Sequence, residues 1–149
     1  MASQDHPVIV GFRRESGEVW DFDMGAAALP RLTIDRKGFT KDQLGNDHYG
    51  SRLLCAASLA CFTNTFANAL IRQGVNLKGM NAKAEIEKDK DDYMRTRFTV
   101  IHMDVEVVLD EKDRPIFESV DESMKSGSLV TYSLQDAIEM DIHVRMVAS

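Results

Sequence analysis

Between residues 51 and 62 the chain reads Ser51-Arg-Leu-Leu-Cys55-Ala-Ala-Ser-Leu-Ala-Cys61-Phe62, and the same apolar, Ala-rich character continues to Ile71-Arg72. Neither Gly nor Pro interrupts it, and Ala and Leu are among the strongest helix formers. The spacing predicts one long helix from about Ser51 to Arg72, closed by Gly74 as a C-cap. From Leu53 to Ile71 the run reaches the lower limit for crossing a bilayer, roughly 17 residues. Ser58, Thr63, Asn64, Thr65 and Asn68 would sit poorly against lipid, so the reading is a core helix of a soluble protein. Cys55 and Cys61 are the two cysteines of the chain. On a helix their Cα atoms lie about 9 Å apart along the axis. A disulfide tolerates at most about 7 Å. The pair therefore cannot bridge within the helix, and the cysteine usage fits a cytoplasmic protein rather than a secreted disulfide scaffold.

Outward from this helix the pattern changes from period 3.6 to period 2. Before it, Val8–Phe12, Trp20–Met24 and Leu32–Asp35 have strand character, with a turn at Gly17 and a polar connection from Gly38 to Gly50. After it, Met80, Ala82, Ala84 and Ile86 alternate with polar residues, as do Ile101, Met103, Val105, Val107 and Leu109. Lys88–Asp92 reads as a solvated turn between these two strands. Phe117, Val120 and Met124 are spaced for a short helix. Ser128 is placed to cap another, reaching about Ala137. A last strand runs from Ile138 to Met146. Because the strands fall in hairpin-like groups rather than in βαβ alternation, the expected class is α+β, in a single domain over residues 1–149.

With 149 residues, 44% of them hydrophobic, the chain can bury a genuine core. Lys and Arg number 18 against 24 Asp and Glu, for a net charge of −6. That balance argues against nucleic acid and against an anionic membrane surface as partners. The first residues carry neither the basic nor the apolar segment of a secretory signal. His6, His48, His102 and His143 show no metal-ligand spacing, so neither a metal nor another cofactor is expected. No Gly-rich phosphate loop is present, and no carboxylate pair stands out.

The segment Leu53-Leu54-Cys55-Ala56-Ala57-Ser58-Leu59-Ala60-Cys61 is similar to the signature helix of the OsmC/Ohr family, Leu-Leu-x-Ala-Ala-x-x-x-Cys. Arg97-Phe98-Thr99-Val100-Ile101 resembles the family's Phe-Thr-x-Ile strand. The order of elements agrees over roughly residues 8 to 147. The resemblance implies an OsmC-like fold of long antiparallel strands wrapped around central helices, in an intertwined homodimer with small-molecule sites at the subunit interface. It also implies thiol-dependent reduction of organic or inorganic hydroperoxides.

Transferred residue by residue, that chemistry is partly kept. The peroxidatic position falls on Cys61, and the thiolate-stabilising arginine on Arg13 or Arg14. The resolving cysteine is replaced by Ser128. The acid that would hold the arginine is replaced by Ser51, with Asp47 the nearest carboxylate. Without a resolving cysteine, a peroxidase of this kind would need an external thiol. Each residue also has a plainer reading: Cys61 and Cys55 as small buried packers, Ser128 as a helix cap, and Arg13 and Arg14 as solvated edge charges. The alternative function is a non-catalytic protein of the same fold that binds a small apolar or acidic ligand.

Overall fold

A computed structural model describes residues 7–15 and 17–149; His6 lies outside them. The chain divides into two compact units, one reaching Asp47 and the other running from His48 to Ser149.

The first unit is a meander of three antiparallel strands, β1 (Gly11–Arg13), β2 (Val19–Asp23) and β3 (Arg31–Asp35), followed by the short helix α1 (Lys41–Leu44). Phe12 lies opposite Phe22 in the β1–β2 register, their ring centroids 5.1 Å apart. β1 begins three residues later than the Val8–Phe12 pattern suggests, and Val8 to Val10 are exposed. Their β-branched side chains have strand propensity, but propensity alone gives no ladder to join. Helix α1 lies within the stretch read as a polar connection from Gly38 to Gly50. Thr40 caps it, accepting from the Gln43 amide at 3.2 Å while the Gln43 side chain takes the Thr40 amide at 2.8 Å. That reciprocal capping box is legible as Thr-x-x-Gln.

The second unit is built on the long helix α2 (Tyr49–Arg72). Ser58, Phe62, Phe66 and Leu70 recur every four residues and form its buried stripe. The Ser58, Thr63 and Thr65 hydroxyls each donate to the carbonyl four residues back, at 2.7 to 2.9 Å, so the helix satisfies these three polar positions itself, while Asn64 and Asn68 are exposed. By length and composition the segment Lys41–Arg72 could cross a membrane, a test that the core helix of a soluble protein also passes. Here the buried stripe packs on the rest of its own unit: β4 (Gly79–Lys90), β5 (Thr96–Leu109), α3 (Arg114–Ser123) and α4 (Leu129–Leu134). Phe66 is wholly buried, with ring centroids 6.1 Å from Phe62 and 5.8 Å from Phe117.

The sheet of this unit has the order β4-β5-β6, with β6 spanning Glu139–Ala148. Ile101, Met103, Val105, Val107 and Leu109 bury the inner face of β5, as their alternation requires. The grouping of strands into hairpins needs correcting. β4 and β5 are antiparallel, but β6 lies parallel to β5. A parallel neighbour demands a long crossover, and α3 and α4 provide it. The turn after β4 also differs from the sequence reading. The strand continues to Lys90, and the reversal falls at Asp91–Arg95. One Asp91 oxygen accepts the amides of Tyr93 and Arg95, both at 2.9 Å, and these local bonds fix the turn where charge patterning alone could not. Helix α4 stops at Leu134, three residues short of the expected end, and α2 starts two residues early. The fold class is α+β as expected, although the last strand joins by a crossover and not by a hairpin.

Candidate functional site

Cys61 lies in the middle of α2, next to the buried Phe62 and itself half-buried. Its carbonyl accepts the Thr65 hydroxyl at 2.9 Å. Cys55, two turns earlier, is also half-buried and unbridged. Burial pushes the Cys55 thiol up, and the charge of Arg52 offsets this only in part.

Ser128 precedes the first residue of α4, in the same unit as Cys61, and α4 packs against α2. Its backbone is extended, and it is nearly fully buried. The Thr131 hydroxyl accepts the Ser128 amide at 2.8 Å, and the two hydroxyl oxygens stand 3.1 Å apart. The capping role foreseen for Ser128 is therefore present, with Thr131 as its counterpart. Sequence reasoning did not single out Thr131, although the spacing Ser128-x-x-Thr131 carries the signal. Gly127 enters this cap at φ +86, and a Cβ there would come 2.7 Å from Thr131 Oγ1. Only glycine fits.

A cleft of about 160 Å³ opens beside this cap. Phe62, Met124 and Ile142 supply its apolar wall, while Asp121, Lys125 and Gln135 bring polar groups to it. A second, open groove of about 550 Å³ runs along the face of α2 that its own unit leaves uncovered, bordered by Ala56, Ala60, Asn64 and Met80. Small side chains make this face shallow, and Ala56 and Ala60 are exposed.

Arg13 and Arg14 belong to the first unit. Arg13 pairs with Glu15 at 3.6 Å, and both side chains are largely exposed. The Arg14 guanidinium lies 4.8 Å from the centre of the Trp20 ring and donates to the Gly17 carbonyl at 3.3 Å. Such stacking is a stable resting place for a guanidinium. Ser51 lies in the first turn of α2, and Asp47 closes the first unit. Among the described residues, no group of three or more His, Cys, Asp or Glu is arranged to hold a metal ion.

The second unit thus carries an unbridged cysteine, Cys61, on its long helix, against which α4 packs with its buried polar cap. The family profile of OsmC-like proteins matches residues 50–143. The chain belongs to the OsmC-like family. No curated protein matches it in sequence. Among solved structures it is similar to a hypothetical protein from Aquifex aeolicus VF5, at TM-score 0.70 and 12% identity, covering 97% of this chain and 99% of that one. It is similar to the OsmC-like protein from Mycoplasma pneumoniae, at TM-score 0.68, 12% identity and the same coverage. It also resembles an organic hydroperoxide resistance protein from Elizabethkingia anophelis, at TM-score 0.61 and 14% identity, covering 98% of this chain and all of that one. At these identities the likeness is one of fold.

Proposed function

We propose that the protein is a thiol-dependent peroxidase that reduces small hydroperoxides through Cys61 and relies on an external thiol to complete each cycle. The observation that carries this reading is that Cys61, which the sequence resemblance sets at the peroxidatic position, is unbridged and only half-buried on α2. The Cys61 thiolate attacks the outer peroxide oxygen and the O–O bond breaks. The alkoxide leaves as an alcohol after taking a proton, and the sulfur becomes a sulfenic acid. An external thiol then attacks that sulfur, water departs, and a mixed disulfide forms. A second thiol releases Cys61 and carries away the disulfide. Ser128 has no sulfur to offer, so the resolving step is assigned outside the chain. A reducing cytoplasm supplies such thiols.

In the middle of a helix the thiol gains little from the helix dipole, so a cation must favour the thiolate. The family resemblance assigns that role to Arg13 or Arg14. It also implies an intertwined homodimer, in which the uncovered face of α2 is available to the second copy.

A second reading is a protein of the same fold that binds a small ligand without thiol chemistry. The buried Ser128–Thr131 cap favours it, because both hydroxyls are engaged with each other. Mass spectrometry after stoichiometric hydroperoxide separates the two. A sulfenic acid trapped on Cys61 of the native protein is the expected result. An unmodified Cys61, with ligand binding unchanged in Cys61→Ser, would establish the second reading instead.

A further inference from the structure

On the outer face of the β4-β5-β6 sheet the charges stand in rows. The register sets Glu85, His102 and Asp141 abreast, then Lys83, Asp104 and His143, then Asn81, Glu106 and Arg145. The row centred on His102 is closely bonded. Nδ1 lies 2.6 Å from Asp141 Oδ2 on β6, and Nε2 lies 2.5 Å from Glu87 Oε2 on β4. Glu87 reaches in diagonally, from the position where the β4–β5 register shifts. The other Asp141 oxygen is 2.8 Å from His143 Nε2. With a carboxylate oxygen at each ring nitrogen, only the imidazolium can donate to both. A neutral ring has one proton and would turn a lone pair toward the other carboxylate.

We propose that His102 is a protonated clasp that ties both outer strands to β5, and that loss of its proton loosens β6 and the cleft that β6 lines.

The coupling follows from strand geometry. Side chains alternate along β6, so Asp141 and His143 face the clasp while Met140, Ile142 and Val144 face the cleft. The strand cannot shift on one face without moving the other. The groups around His102 favour its charge. On β4 these are Glu85, Glu87 and Lys83; on β5, Asp104; on β6, Glu139, Asp141 and His143. Carboxylates outnumber cations among them. The hydrogen bonds of Glu87, and then of Asp141, push the His102 pKa from 6.5 up to about 9. Since the folded value is the higher one, the stabilisation is complete below 6.5 and is lost as pH climbs through about 9. The His102 hydrogen bond, with support from His143, holds Asp141 below the usual carboxylate range. Its share is therefore present above that range and fades only in acid.

Amide hydrogen exchange on the full chain tests this, with rates corrected for intrinsic pH dependence and compared at about pH 7 and about pH 10, on either side of the clasp's titration. In the wild type, β6 protection should fall several-fold at the higher pH while the buried stripe of α2 keeps its own. In His102→Gln, β6 should be weakly protected at both pH values, with no step between them. An NMR titration of the His102 ring should give a midpoint near 9 that drops in Glu87→Gln. A wild-type β6 equally protected at both pH values would overturn the proposal, and so would a step of the same size in His102→Gln. Should His102→Gln fail to fold, a ring midpoint unmoved in Glu87→Gln would overturn it as well.

Discussion

Gly127 and Ser128 are adjacent, yet substitutions at them act through different physics. At Gly127 the backbone is left-handed and the space above the Cα is filled by Thr131 Oγ1. Gly127→Ala should lower unfolding free energy by about 1–3 kcal/mol, measured by denaturant titration. Ser128→Ala keeps the backbone and the amide bond to Thr131 but removes the cap hydroxyl, and about 1 kcal/mol is the expected loss. The cysteines separate in the same way. Burial holds the Cys55 thiol in its protonated form, which makes it a poor nucleophile. Cys55→Ala should therefore leave peroxide consumption intact, while Cys61→Ser should reduce it to background in a thiol-coupled assay. At this scale the sequence offers a resemblance at Cys61 and the spacing Ser128-x-x-Thr131, whereas the ring of Trp20 beneath Arg14 is a contact made only once the chain folds.

Helix α2 shows how few residues anchor an element. Its buried stripe centres on Phe66, held between two further aromatic rings. Phe66→Ala should cost about 3–5 kcal/mol. That is a large part of the total stability of an ordinary domain, roughly 5–15 kcal/mol. A thermal melt would show the transition displaced well down or absent. The elements themselves were legible where periodicity was long: α2, the alternating core of β5 and the terminal strand all appear where the pattern places them. Boundaries were less so, for reasons that are local. The charges of Lys88 to Asp92 look like a turn, yet the cross-strand ladder continues to Lys90, and the Asp91 side chain sets the reversal after it. The parallel pairing of β6 was not legible at all. Alternation states which side chains share a face and says nothing about the direction in which a strand enters the sheet.

For the molecule as a whole, the α2 face that borders the open groove is uncovered by its own unit. Replacing Ala60 by Arg would place a charge on the groove lined by Ala56, Ala60 and Asn64. If a second copy covers that face, sedimentation should show the wild type near twice 16.7 kDa and Ala60→Arg shifted toward the single chain. A wild type that sediments as a single chain would remove the dimer from the proposal. The outer-face clasp was hidden from sequence for a related reason. His102, Glu87 and Asp141 are far apart along the chain, and their meeting depends on the register of three strands. The parallel docking of β6 also sets an order of events. The β4–β5 hairpin closes from neighbouring residues, whereas β6 joins only once the longer crossover has been made, at a larger loop-closure entropy. Until then Met140, Ile142 and Val144 face water on a half-formed sheet. In a chevron analysis, shortening Ile142 should therefore accelerate unfolding and barely slow refolding, which makes the last strand to join the first to leave.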